Sequence, residues 1–140
     1  MPHQVSVFLE NKPGRIEEIT RILADARINI RATTLATGTS GWGVFNLLLD
    51  APEKGRDVLC STGHTATLRE IVIVKVDDEP GGLHAVLSLL ANAGLNVENA
   101  YGSALEKGST AVLVIDVENV KEAESLLADA GVATLHPDQM

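Results

Sequence analysis

The stretch VSVFLENKPGRIEEITRILADARINI (5–30) returns sixty-seven positions later, without a gap, as VIVKVDDEPGGLHAVLSLLANAGLNV (72–97). The offset sets Val5 on Val72, Val7 on Val74, Pro13-Gly14 on Pro80-Gly81, Ala24 on Ala91, Ala26 on Ala93 and Asn29 on Asn96. It holds through Gly41 on Gly108 and Lys54 on Lys121 to Ala66-Thr67-Leu68 on Ala133-Thr134-Leu135. A register kept over that span marks a duplicated structural unit. The 140 residues therefore divide into two modules, 1–69 and 70–140, which meet at Arg69 and Glu70.

Within each module the apolar periods read strand, helix, strand, strand, helix, strand. VSVFLE (5–10) and IVIVKV (71–76) are rich in β-branched residues and alternate, as half-buried strands require. After each Pro-Gly pair, Ile16, Ile19, Ile22 and Leu23, or Leu83, Val86, Leu87 and Leu90, recur at helical spacing, which commits one face of each first helix to a core. Asn29-Ile30 through Leu35, and Asn96-Val97 onward, read as second strands. TGTSGWG (37–43) and EKGS (106–109) read as hairpin turns. VFNLLLD (44–50) and AVLVIDV (111–117) supply third strands. PEKGRDVLC (52–60) and NVKEAESLLADAG (119–131) supply second helices, the latter stopped by Gly131, and TATL (65–68) and VATL (132–135) close the modules.

A βαββαβ order with short connections and right-handed crossovers brings both helices to the same face of an antiparallel sheet. The fold class is α+β: two ferredoxin-like βαββαβ modules in tandem, each an antiparallel sheet with its helices packed on one face. So small a module buries little surface alone. Packing against its copy and a homodimer are expected.

Composition narrows the function classes. With 45% apolar residues the chain has the material for a packed core. The first 68 residues carry seven acids and seven bases, the remainder twelve and four, so the whole net charge of −8 belongs to residues 69–140. An acidic surface without a Lys/Arg cluster repels phosphate backbones, which argues against nucleic acid. The strands also lack the aromatic pairs on which RNA-binding relatives of this topology stack bases. Cys60 is alone, as suits a reducing compartment. No apolar run approaches a membrane span, and MPHQVSVFLENK has no basic region ahead of an apolar stretch. A cytoplasmic protein with no membrane partner is the expectation.

LENKPGRI (9–16) and VDDEPGGL (76–83) each end a strand, turn and open a helix. Pro13 and Pro80 fix φ, while Gly14 and Gly81 let the backbone approach a ligand or neighbouring strand. The first amides of the next helix have no intrahelical acceptor and sit at the positive end of the macrodipole, a natural place for a carboxylate. Asn11 both donates and accepts hydrogen bonds, so it can orient a zwitterion. Lys12, Arg15 and Arg31 lie near the first loop, and Asp77, Asp78, Glu79 and Glu98 near the second, so a carboxylate is drawn to the first and repelled by the second.

Strand, N-x-P-G-x-[IL] loop, helix and an Asn opening the second strand together resemble the ACT domains, regulatory modules for amino acids and related small metabolites. The resemblance covers nearly the whole chain and implies a tandem pair with no enzyme attached: a non-catalytic amino-acid-binding sensor without cofactor or metal, acting on an unidentified enzyme partner. It implies a ligand held where two modules abut, by the loop Asn of one and the second-strand Asn of the other. Carried onto this sequence, the binding residues are Asn11, Lys12, Pro13, Gly14, Arg15, Ile16, Asn29 and Ile30 in the first copy. In the second they are Asp78, Glu79, Pro80, Gly81, Gly82, Leu83, Asn96 and Val97. Asp78 departs from the pattern by replacing the loop Asn, so two unequal sites are expected, the stronger around Asn11.

The alternative is a protein–protein interaction module of the same fold with empty loops. Other features read as structural. His3, His64, His84 and His136 show no metal-ligand spacing, and neither loop carries the CxxC of a metal carrier. Cys60 reads as a buried hydrophobe. Ser61 beside His64 lacks an elbow motif, and GTSGWG lacks the order and following helix of a dinucleotide loop. Trp42 is either a strand-end core residue or a contact residue.

Overall fold

The computed structural model describes residues 2–106 and 110–140. It divides into two compact units, His3–Arg69 and Glu70–Met140, the latter including Pro2. The turn expected over EKGS reaches into residues 107–109 and lies outside the described residues.

The first unit runs β1 (His3–Glu10), α1 (Arg15–Asp25), β2 (Ile30–Thr37), β3 (Trp42–Leu49), α2 (Pro52–Ser61) and β4 (Thr65–Glu70). Its strands lie in the order β2-β3-β1-β4, with β3 antiparallel to both neighbours. Alternation places Val5, Val7 and Leu9 of β1 beside Phe45, Leu47 and Leu49 of β3, all buried against Ile19 and Leu23 of α1 and Leu59 of α2. Ile19 and Leu23 are wholly removed from solvent, worth about 1.5–3 kcal/mol each. On the opposite face Ser6 Oγ donates to Asn46 Oδ1 at 2.7 Å, with the Gln4 amide 3.5 Å from the same oxygen.

The second unit runs β5 (Val72–Asp77), α3 (Gly82–Asn92), β6 (Val97–Glu106), β7 (Thr110–Val117) and α4 (Val120–Asp129), ending in a short 3-10 turn at Pro137–Gln139. The sheet order is β5-β7-β6. Val72, Val74, Leu113, Ile115 and Val117 pack beneath Val86 and Leu90 of α3 and Ala123 and Leu127 of α4. VATL is less than the strand its sequence promises. It makes a single antiparallel bridge, Val74 to Thr134, with Lys75 N–H donating to Ala133 O and Leu135 N–H donating to Ile73 O. The His136-Pro137 turn comes immediately after, and a proline in the continuing segment has no N–H for a longer ladder.

All four helices end alike. The left-handed residue after the cap is Arg27, Gly63, Gly94 or Gly131, and the next N–H reaches back to the carbonyl of Leu23, Leu59, Leu90 or Leu127. That is the Schellman closure, and it confirms Gly131 as a stop.

Candidate functional site

The two Pro-Gly loops fold the same way. Lys12 N–H donates to Glu10 O, Arg15 N–H to Lys12 O and Glu18 N–H to Gly14 O; Glu79, Gly82 and Ala85 repeat these bonds to Asp77, Glu79 and Gly81. With φ/ψ of 86°/−9° at Gly14 and 87°/−7° at Gly81, each is a type II turn with Pro first and Gly second. The glycines are needed for the positive φ. A Cβ at either would meet nothing within 4 Å, so of the two reasons expected from the sequence, close approach of a neighbouring strand does not apply here.

In the first loop Asn11, Lys12, Pro13 and Gly14 are exposed, and Arg15 and Ile16 are half-buried at the opening of α1. Asn11 N–H donates to Gly41 O at 2.8 Å, which ties the loop to the β2–β3 hairpin and leaves its amide side chain outward. Lys12 Nζ lies 2.8 Å from Glu10 Oε2. Its hydrogen bond, and then its charge, hold the Glu10 carboxyl below the ordinary carboxylate range. Arg15 stands between two carboxylates, 3.9 Å from Glu10 Oε1 and 3.7 Å from Glu18 Oε2, both too long for good hydrogen bonds.

Asn29 lies just before β2, its N–H donating to Asp50 Oδ1 and its carbonyl accepting from Asp50 N–H. Because β1 and β2 are both antiparallel to β3, they run parallel. Asn11 at the C-terminal end of β1 and Asn29-Ile30 at the N-terminal end of β2 therefore occupy opposite ends of one sheet, roughly 20 Å apart at about 3.3 Å per strand residue. The same holds for Asp78 and Asn96-Val97 in the second unit, where the Asn96 amide donates to Glu98 Oε1 at 3.2 Å.

In the second loop Asp78, Glu79, Pro80 and Gly81 are exposed and Gly82 half-buried. Leu83, expected on the core face of α3, is 47% exposed and with Asp78 and Gly102 lines a shallow cleft of about 270 Å³. It sits in the first turn of α3, where the apolar stripe runs past the edge of the sheet. Cys60 is likewise exposed, its Sγ 3.4 Å from Ala66 O, because Leu59 takes the inward position. Ser61 Oγ donates to Val58 O at 2.8 Å, within its own helix. Trp42 is 49% exposed, which excludes the core role, and its ring lies 6.1 Å from that of Phe8.

Sequence reasoning missed Glu18 and His64, which join Glu10 and Arg15 around a cleft of about 360 Å³ beside the first loop. Among the described residues, no group of three or more His, Cys, Asp or Glu could hold a metal ion, and no helix is long and apolar enough to cross a membrane.

Two βαββαβ units in tandem, each with a type II Pro-Gly turn at the start of its first helix, define a duplicated α+β module. Residues 1–135 match the family model described as an ACT domain pair, and the chain belongs to that family. It is similar to protein BT0572 of Bacteroides thetaiotaomicron, with 29% identity, TM-score 0.88 and coverage of 96% of this chain and 91% of that one. It also shares its fold with the regulatory subunit of aspartate kinase from Thermus thermophilus (16% identity, TM-score 0.68, 92% of each chain). The same subunit from Thermus flavus is alike (18%, 0.64, 93% of each). No curated protein matches.

Proposed function

We propose that this chain is a non-catalytic sensor of free amino acids, two ACT domains spanning 1–69 and 70–140, whose ligand seats on the Pro-Gly loops. The observation that carries the reading is the first loop itself. A turn of fixed geometry exposes Asn11 and Lys12 beside the opening of α1, where unpaired amides favour a carboxylate. Pro13, Gly14, Arg15 and Ile16 complete that seat, and Asn29 and Ile30 complete it from another copy, since one module holds the two asparagines at opposite ends of its sheet. A ligand gripped by both is shared between copies, which is why we assign a homodimer. Asp78 and its neighbours Glu79, Pro80, Gly81, Gly82 and Leu83, with Asn96 and Val97, form the weaker counterpart.

The names of the aspartate kinase regulatory subunits support a regulatory role, and the ligand controls an enzyme partner by favouring one arrangement of the modules over another. Isothermal titration with the proteinogenic amino acids tests the seat. One should bind the wild type and lose about tenfold or more in affinity in Asn11→Ala, the worth of a hydrogen bond to a charged group. An unchanged titration in both Asn11→Ala and Asn29→Ala would remove the loops from the site.

A further inference from the structure

The duplication supplies its own control. The end of β1, the first turns of α1 and the turn between α2 and β4 enclose the cleft of about 360 Å³ in the first unit. The corresponding turns enclose about 390 Å³ in the second. Corresponding positions line both, yet Arg15 is matched by Gly82, Glu18 by Ala85 and, just past the left-handed glycine that ends the second helix, His64 by Val132, while Glu10 keeps an acid in Asp77. One fold makes the hollow twice; the second keeps Lys75, Asp77 and Glu79 but has no cation, acid or imidazole where the first has Arg15, Glu18 and His64.

His64 is the most telling of these residues. It comes directly after the left-handed Gly63 at the end of α2, where the other three helices place Ile28, Leu95 and Val132, apolar residues that seal the Schellman turn. Its Nε2 is shut off from solvent and is the one such side-chain polar atom without a hydrogen-bond partner among the described residues. Glu18 Oε1 is 3.9 Å away, too far to bond. A buried polar atom left unpaired costs free energy that a bound polar group recovers. Arg15 is similarly unspent, with neither carboxylate neighbour within good hydrogen-bonding distance. Trp42 and Phe8 form an aromatic rim to the same cleft, and aromatic faces attract ammonium groups.

We infer that the first cleft is a separate seat for a small zwitterion, a free α-amino acid, lying wholly within the first module. The carboxylate takes the planar fork of Arg15. The ammonium sits against the Glu10 and Glu18 carboxylates under the Trp42 ring, and Glu18, drawn toward the ligand, closes on His64. The second cleft, with Gly82, Ala85 and Val132 at these positions, lacks the guanidinium fork for the carboxylate and binds no zwitterion, its Lys75 notwithstanding. This rests on the amino-acid reading above for its ligand class but shares only Arg15 with the loop seat.

Trp42 is the only tryptophan, so its emission reports on this cleft directly. The full chain is titrated with each proteinogenic amino acid except tryptophan while Trp42 fluorescence and thermal stability are monitored. At least one amino acid should change the emission saturably. The dissociation constant should rise about tenfold or more in Glu18→Gln, and again in His64→Val, which copies Val132 of the second unit, as losing a charge-assisted hydrogen bond implies. Emission that stays fixed while an amino acid stabilises the wild type, with that stabilisation lost in Asn11→Ala, overturns the cleft and leaves the loop seat standing. A Trp42 signal lost in Glu18→Gln but retained in Asn11→Ala and Asn29→Ala supports the cleft and removes the loops. Titrations unchanged in both Glu18→Gln and His64→Val overturn the inference outright.

Discussion

Arg27 holds φ at 60°, the only described residue other than glycine in the left-handed region, at a position its copy fills with Gly94. A side chain there costs about 1–2 kcal/mol, part of which a glycine gives back in the unfolded chain. Arg27→Gly should therefore stabilise the protein by about 0.5–1 kcal/mol, measured by urea unfolding; a loss of stability would mean the Arg27 side chain is bound to something. Tyr101 is a second test at this scale. Burial, with the Asp116 carboxylate adding to it, pushes its hydroxyl well above the ordinary tyrosine value. The folded state then keeps a proton that the unfolded chain sheds near pH 10, so the contribution is intact below about pH 10 and fades above it, by up to about 1.4 kcal/mol per pH unit. Unfolding measured from about pH 9 to pH 11 should fall more steeply in the wild type than in Tyr101→Phe, and equal slopes would contradict the assignment. Single residues were only partly legible in the sequence. Gly14 and Gly81 read correctly as turn residues, since a Pro-Gly pair between strand and helix admits few geometries. Leu83 and Cys60 read wrongly: periodicity locates an apolar stripe without saying where along a helix the sheet beneath it ends, and at Cys60 the neighbouring Leu59 takes the inward position.

Elements were more legible, and their ends carry the next tests. At the start of α4 the Asn119 side chain accepts from Glu122 N–H at 3.1 Å while its amide reaches Glu122 Oε2, so Asn119→Ala should lose about 1 kcal/mol of stability in chemical denaturation. At the start of α3 a Cβ on Gly82 would collide with the Asp77 carbonyl oxygen, backbone against which nothing can swing away. Gly82→Ala should cost about 1–3 kcal/mol, although alanine is the better helix former; a neutral result would show that the turn can open. The first loop carries Arg15 at that position, with its closing bond at 3.3 Å against 3.0 Å at Gly82. The strand at VATL was over-read because its match to TATL speaks for common descent of the segment, whereas ladder length is set by the residues beyond it, here Pro137.

At the scale of the molecule, two copies of one fold have diverged in charge, and in backbone at the closing strand, which the second copy reduces to a single bridge. Asp77 and Glu79 flank Asp78 in the second copy, and the alternating cations and carboxylates of the first surround Asn11 and Arg15. The repeat, read at one offset, carried the fold and the loops; the cleft around His64 stayed hidden because its lining comes from β1, α1 and the α2–β4 turn, which no local motif joins. The central claim is that this pair of ACT domains binds a free amino acid. A thermal-unfolding panel of the twenty amino acids on the full chain tests it most directly. A binder at one hundred times its dissociation constant adds about 2.7 kcal/mol, a rise in melting temperature on the order of 10 °C. At least one amino acid should give such a rise; a panel in which none does would contradict the claim and leave the fold as an interaction module with empty loops.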